Sequence, residues 1–166
     1  MMDCTIDVWI LKTVKAGGED YHNCVLFLEM IIETRCKVCV DNQGELLESY
    51  NKLVDYRNPA DFIGRWWKHM QRNLKIVWPK LPTKIHNELS TLRFDEDDLI
   101  YVEIANASID RKIVTGDSDF GCNPRSQKNR EDIKSYLKNQ LDVTPLTPEE
   151  AKNELFRANA SSLTHL

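Results

Sequence analysis

The chain lacks an apolar run long enough to span a membrane, and it has no internal repeat and no low-complexity tract. Its start, Met1-Met2-Asp3, does not have the pattern of a signal peptide, so we expect a cytoplasmic protein. The net charge is -4, from 22 basic and 26 acidic residues. That balance argues against a protein that coats nucleic acid nonspecifically, because such proteins carry an excess of positive charge.

Cysteines are few and odd in number, with five at positions 4, 24, 36, 39 and 122. This usage suits reduced thiols better than a disulfide scaffold. Cys36 and Cys39 have the spacing of a zinc or redox motif, but they lie in a strand-like run and no second pair accompanies them. We therefore expect buried or half-buried structural thiols.

Hydrophobic periodicity divides the chain into alternating strands and helices. We predict one domain over residues 1–157 and a frayed tail over 158–166. Prolines 79 and 82 are expected to keep the linker that follows the third strand out of regular structure. Residues 5–14 are predicted as a strand or as a strand running into a helix. Further predicted strands cover 37–40, 75–78, 113–115 and 143–144; the predicted helices cover 21–34, 45–56, 60–73, a helix from Asp95, 131–139 and 148–157. This alternation predicts an α/β fold with a mainly parallel sheet.

A pair of tryptophans, Trp66 and Trp67, lies on the aromatic face of the predicted helix over 60–73. Adjacent aromatic rings are typical of a base-stacking surface and also of a packed core. We favour the core, with one tryptophan buried and the second half covered.

Acidic residues occur where several of these elements meet. Asp7 falls within the first predicted strand, Asp98 at the start of a helix, and Asp117 and Asp119 just after another strand. The carboxyl ends of parallel strands converge at the edge where ligands bind. Carboxylates gathered there are costly to ionise without a cation, so the pattern predicts a Mg²⁺ or Mn²⁺ site.

Taken singly, most of these acids have a structural explanation. Asp98 is compatible with a charge at a helix end, Asp117 with a loop cap and Asp119 with an Asx turn. Asp7 is the hardest to explain in this way, because an acid inside an apolar strand is unfavourable unless it is paired or bound to metal.

The sequence resembles a PIN domain over most of its length, from about Thr5 to Arg157. The matching segments are Thr5-Ile6-Asp7-Val8-Trp9-Ile10-Leu11, residues 94–105 (FDEDDLIYVEIA), and residues 113–120 (IVTGDSDF), which is the most specific of the three. Residues 38–50 resemble the strand, turn and glutamate-bearing helix of the family, and residues 62–73 resemble the aromatic helix that follows.

The resemblance implies a three-layer α/β/α fold and metal-dependent cleavage of RNA phosphodiesters, that is, an endoribonuclease. It assigns Asp7, Asp98, Asp117 and Asp119 to a Mg²⁺ or Mn²⁺ centre, with Glu48 as a weaker ligand or base. RNA is then the substrate. An inhibitor protein is a further expected partner, since PIN-type toxins work with one.

Two other functions stay open. Trp9 stands where PIN domains commonly have Asn, and Ser49 rather than an acid precedes Tyr50. These positions motivate the alternative of a catalytically weakened PIN-like binding or scaffold protein. A third hypothesis takes Asp117-Ser118-Asp119 as a DxD motif that holds a nucleotide-sugar through manganese, although that motif is weak by itself.

Overall fold

A five-stranded sheet forms the centre of the protein in the computed structural model, which describes residues 2–163. The strands are β1 (Asp3–Ile6), β2 (Lys37–Asp41), β3 (Leu74–Val77), β4 (Lys112–Val114) and β5 (Thr144–Leu146). All neighbours are parallel, in the order β3-β2-β1-β4-β5. The predicted α/β class with a parallel sheet is therefore confirmed.

The direction of winding reverses between β1 and β4, which lie side by side. Ile6 is in register with Val114, and the backbone N–H of Asp7 donates to the carbonyl of Val114 at 3.0 Å. In a sheet of this kind, the reversal opens a crevice at the carboxyl ends of the two strands. Asp7 therefore lies at that crevice, directly after β1.

Helices cover both faces of the sheet. They are α1 (Val8–Ala16), α2 (Tyr21–Thr34), α3 (Glu45–Asn51), α4 (Phe62–Met70), α5 (Thr83–Thr91), α6 (Leu99–Ala107), α7 (Glu131–Leu141) and α8 (Pro148–Leu163). Helix α2 packs against α1, α4 and α8, whereas α6 packs on β1, β2 and β4. The result is a three-layer α/β/α arrangement.

Several element boundaries differ from those predicted. Helix α3 ends at Asn51 instead of Tyr56, and α4 covers only Phe62–Met70 of the predicted 60–73. The linker after β3 contains α5, which the sequence did not predict. This helix begins directly after Pro82, a residue that only forbids helix on its N-terminal side. The buried side chains of Ile85 and Leu89 anchor it.

The last helix begins as predicted and ends later. Thr147 and Glu150 form a reciprocal capping box, in which the Glu150 N–H donates to Thr147 Oγ1 at 3.1 Å and the Thr147 N–H donates to Glu150 Oε2 at 2.8 Å. The helix was expected to end at Arg157, but it continues to Leu163. Residues 164–166 of the predicted tail lie outside the described residues.

The tryptophan pair is part of the core. Trp66 is 1% exposed and Trp67 is 2% exposed, so the prediction of a half-covered second ring was wrong. Each indole N–H has a partner, Leu28 O for Trp66 and Asn51 Oδ1 for Trp67, which removes the penalty for burying it. The ring of Tyr50 packs edge-on against both indoles.

All five cysteines are free thiols and all are buried. The predicted burial of the thiols is confirmed, and Cys36 and Cys39 flank the start of the buried strand β2. No described helix has the length and apolar character needed to cross a membrane.

Candidate functional site

Asp7 lies at the junction of β1 and α1, one residue beyond the strand in which the sequence placed it. Its carboxylate caps α1 by accepting the Trp9 N–H at 2.9 Å, and it also accepts the Thr115 hydroxyl at 2.7 Å. The side chain is only 3% exposed. Burial raises the pKa of Asp7 above its usual value, and the charge of Asp117 adds to the effect.

Thr115 joins the two strands at the crevice. Its hydroxyl donates to Asp7 and accepts the backbone N–H of Asp117 at 3.0 Å. One side chain from the β4 end therefore orients both the aspartate that follows β1 and the loop that carries the next two acids. Thr115 lies within the last PIN-like segment of the sequence, where nothing in the local pattern indicated this role.

The loop after β4 is a short 3₁₀ helix, Ser118–Phe120. Asp117 caps it by accepting the Asp119 N–H at 2.9 Å. Asp119 itself is half-buried, and its pKa is raised by burial and by the charges of Asp117 and Asp95. Both acids of the DSD segment thus lie at the crevice.

Asp98 comes from the opposite side of the crevice. It ends the 3₁₀ turn Glu96–Asp98 and stands at the N-terminus of α6, but its side chain makes no capping hydrogen bond there. Burial raises the pKa of Asp98 to about 7, and the charges of Asp7, Asp117, Asp95 and Asp119 contribute after burial. A role as a mere helix cap therefore does not describe this side chain.

Three aromatic rings hold these segments together beneath the acids. Phe120 is fully buried and packs edge-on against Phe94 at 5.2 Å and against Tyr101 at 6.3 Å, measured between ring centroids. Phe94 precedes the 3₁₀ turn, Tyr101 lies in α6 and Phe120 in the loop after β4. Because the rings interlock, the two acid-bearing segments are fixed relative to each other.

The closest group of carboxylates comprises Asp95, Asp98 and Asp119, which each contribute one oxygen to a set lying within 4.8 Å of one another. Asp95, where the sequence predicted that a helix begins, accepts the Asp97 N–H at 2.9 Å. Its position in the acidic run 95–98 was the one feature of the sequence that could have indicated Asp95 as a site residue. Asp7 and Asp117 adjoin the three and act on the Asp98 carboxyl through their charges. We call these five residues the acidic group.

Glu48 is the predicted site residue that the structure does not place in the acidic group. Its side chain is 69% exposed and pairs with Lys52 at 3.0 Å. Leu46 and Tyr50 turn the other side of α3 into the core. Glu48 lies about 200° around the helix from Leu46, which directs it to solvent.

Trp9 covers part of the crevice. A Cβ placed on Gly116 would lie 2.3 Å from Cη2 of the Trp9 indole, so the ring rests directly on the backbone at Gly116. A residue without a side chain is therefore required at position 116. Gly116 directly precedes Asp117, so the ring lies next to the loop that carries two of the acids.

Comparisons with protein-family models, with curated protein sequences and with solved structures found no match for this chain. The fold and the acidic group therefore carry the functional argument.

Proposed function

We propose that this protein is a metal-dependent ribonuclease that hydrolyses RNA phosphodiester bonds at the acidic group. The observation that carries the proposal is the convergence of carboxylates from three separate segments at the crevice between β1 and β4, with Asp95, Asp98 and Asp119 within 4.8 Å. Unlike charges spread over a surface, such a group is held together against its own repulsion by the fold.

The donor set fits a hard divalent cation. Carboxylate oxygens are the ligands that Mg²⁺ and Mn²⁺ prefer. Asp7, Asp98, Asp117 and Asp119 would hold the ion, and Asp95 is added to them by its position in the closest group. When bound, the cation would lower the pKa of a coordinated water and offset charge on the attacked phosphate.

Other residues of the site orient the carboxylates by hydrogen bonds. The Trp9 N–H and the Thr115 hydroxyl each donate to one oxygen of Asp7, which fixes the plane of that carboxylate. The Asp119 N–H donates to Asp117 in the same way. Asp98 has no capping bond, so its oxygens are free to meet a ligand.

RNA is proposed as the substrate on the basis of the PIN-like motifs at Asp7, Asp98 and residues 113–120. The inhibitor protein and the cytoplasmic location expected from the sequence stay predictions. Fold alone does not determine activity, so the chemistry has to be tested directly.

The test is cleavage of a single-stranded RNA, labelled at one end, in the presence of Mn²⁺. We expect Asp117→Asn and Asp98→Asn to reduce the rate at least about 100-fold, because each removes charge from the metal centre. Asp97→Asn is the matched control, since Asp97 is an exposed neighbour outside the acidic group, and it should retain activity. Cleavage that survives chelation of metal, or that ignores both substitutions, would refute the proposal.

A catalytically weakened binding or scaffold protein is the second candidate. Two observations favour it: Glu48 is turned to solvent, and Trp9 lies over Gly116 beside Asp117. This candidate predicts that Trp9→Asn does not raise cleavage. A ribonuclease limited by the indole predicts an increase.

A further inference from the structure

The net charge of -4 hides a strong asymmetry along the chain. Residues 62–87 contain six Lys or Arg and no Asp or Glu, so the rest of the chain has a net charge of -10. A concentration of one sign of charge in a single segment is the electrostatic signature of a surface that meets a partner of opposite sign. Lys75 and Lys84 pair with Asp3 and Glu88, whereas Arg65, Lys68 and Arg72 lie on or just after α4.

Helix α4 presents one apolar and one cationic face. Its apolar side chains Ile63, Trp66, Trp67 and Met70 are buried. The opposite face carries Arg65, Lys68, His69 and, just beyond the helix end, Arg72, and all four are exposed. Their spacing of i, i+3, i+4 and i+7 aligns them in a row about 10 Å long. We call these four residues the α4 cationic row.

The row is not used for internal ion pairing. Among residues 2–161, whose side chains the structure describes, none forms an ion pair within 4 Å with any member of the row. The four side chains line a common groove. Unneutralised cations that share one groove lower their mutual repulsion when an anion with several charges binds.

An aromatic ring adjoins the row. Tyr56 is 76% exposed, and it lines a neighbouring groove together with Arg65 and Lys68. Exposed aromatic rings beside cations are the combination with which proteins hold single-stranded nucleic acid, through stacking of bases and neutralisation of phosphates. A membrane surface is a poorer fit, because the apolar side chains of α4 face the core and cannot insert.

We propose that the α4 cationic row binds the phosphate backbone of single-stranded RNA, with Tyr56 stacking on a base. The choice of RNA over DNA rests on the proposed ribonuclease function, whereas binding itself requires no cleavage. The row would serve as a second contact that holds a strand by its backbone without reading its sequence.

The experiment measures binding of a fluorescein-labelled, single-stranded RNA of about 12 nucleotides by anisotropy in EDTA, where no metal-dependent cleavage occurs. The test variant is Arg65→Gln/Lys68→Gln/Arg72→Gln. The control variant, Lys138→Gln/Lys152→Gln/Arg157→Gln, removes the same charge from α7 and α8. Lys152 is half-buried and the other five side chains are exposed, and thermal melting checks that both variants fold.

We expect the test variant to lose about tenfold or more in affinity and the control variant to lose little. The slope of log K against log salt should become shallower by about 2, the value for three phosphate contacts on a single strand. Tyr56→Ala should weaken binding about fivefold or more.

Equal losses in the two triple variants would overturn the proposal, and so would binding of phosphatidylserine vesicles in place of RNA. If the unsubstituted protein does not cleave RNA but binds it through the α4 cationic row, the proposed activity is refuted and the proposed binding surface is supported. If the protein cleaves RNA but the α4 triple variant binds RNA as tightly as the unsubstituted protein, the binding surface is refuted and the activity is supported.

Discussion

At the scale of residues, the aspartates at the carboxyl edge of the sheet differ in how their charge is compensated. Asp41 accepts two backbone N–H groups, from Glu45 and Leu46, at 2.9 Å each. Asp98 has no capping bond and stands among four other acids. Asp41 is a structural cap, whereas burial and the neighbouring acids destabilise the ionised form of Asp98. Position at the edge therefore does not by itself define a site residue; Asp98 is distinguished by the other acids around its carboxylate.

Asp98 should make the metal-free protein less stable as pH rises. Its pKa is raised from 3.8 to about 7 in the folded state, so the penalty is absent below about pH 4, grows between pH 4 and 7, and is complete above pH 7. In EDTA, Asp98→Asn should therefore increase the free energy of unfolding at pH 8 by about 1–2 kcal/mol, a value reduced for partial exposure. Urea unfolding at pH 8 and pH 4 measures this. A gain that is equal at both pH values would contradict the argument.

Gly116 should tolerate no side chain while Trp9 is present. In Gly116→Ala, the new Cβ would collide with the indole, and we expect a loss of about 1–3 kcal/mol in the free energy of unfolding. Gly18→Ala is the control, because its Cβ would meet only Thr13 Cγ2 at 3.7 Å. Replacing Trp9 by Leu in the Gly116→Ala background should recover part of the loss. Urea unfolding of the unsubstituted protein, Gly116→Ala, Trp9→Leu and the double variant measures the coupling between the two positions.

At the scale of elements, α3 is positioned by the strand before it. Its N-terminal N–H groups are satisfied by Asp41 at the end of β2, and Leu46 and Tyr50 fix its rotation. The Tyr50 hydroxyl also donates to the carbonyl of Ile6 in β1. These contacts turn Glu48 away from the acidic group, so the rotation of one short helix determines which acids meet.

Asp41→Ala should destabilise the protein without affecting the proposed binding of metal. Removing the carboxylate leaves two buried or half-buried N–H groups without partners, which costs about 1–3 kcal/mol. Asp20→Ala is a useful comparison, since Asp20 precedes α2 but makes no capping bond, and a change below about 1 kcal/mol is expected. Chemical denaturation gives both values. If Asp41→Ala also abolished the stabilisation by Mn²⁺, Asp41 would belong to the proposed metal site.

At the scale of the whole molecule, negative and positive charge are separated. Acids gather at the crevice between β1 and β4, while the α4 cationic row lies on the outer face of a helix in the layer formed with α1 and α2. An isolated acidic group weakens the folded state through self-repulsion, and a bound cation removes that penalty.

Saturating Mn²⁺ should therefore raise the melting temperature. At a metal concentration 100 times the Kd, the stabilisation is about 2.7 kcal/mol, which for a domain of this size amounts to about 5–10 °C. Asp98→Asn should reduce the shift strongly, whereas Glu48→Gln should keep it, because Glu48 lies outside the acidic group. Differential scanning fluorimetry with and without EDTA measures the shift. Its absence in the unsubstituted protein would favour the scaffold alternative.

Much of the fold follows from local sequence. The predicted bounds of α2, Tyr21–Thr34, agree with the structure, and so does the predicted start of α8 at Pro148. Helical spacing, helix caps and short apolar runs depend on residues that are close together in the sequence, so they can be predicted from it. Helix α5 was missed because Pro79 and Pro82 dominated the pattern around it.

By itself, the sequence determined the parallel α/β class and supplied Asp7, Asp98, Asp117 and Asp119 at the ends of elements. Only the tertiary structure decided that β1 and β4 are neighbours, so that Thr115 can bridge Asp7 to the Asp117 loop. It also brought in Asp95, turned Glu48 to solvent and buried Trp67. The physical reason is that these outcomes depend on contacts between residues far apart in the chain, which local periodicity does not encode.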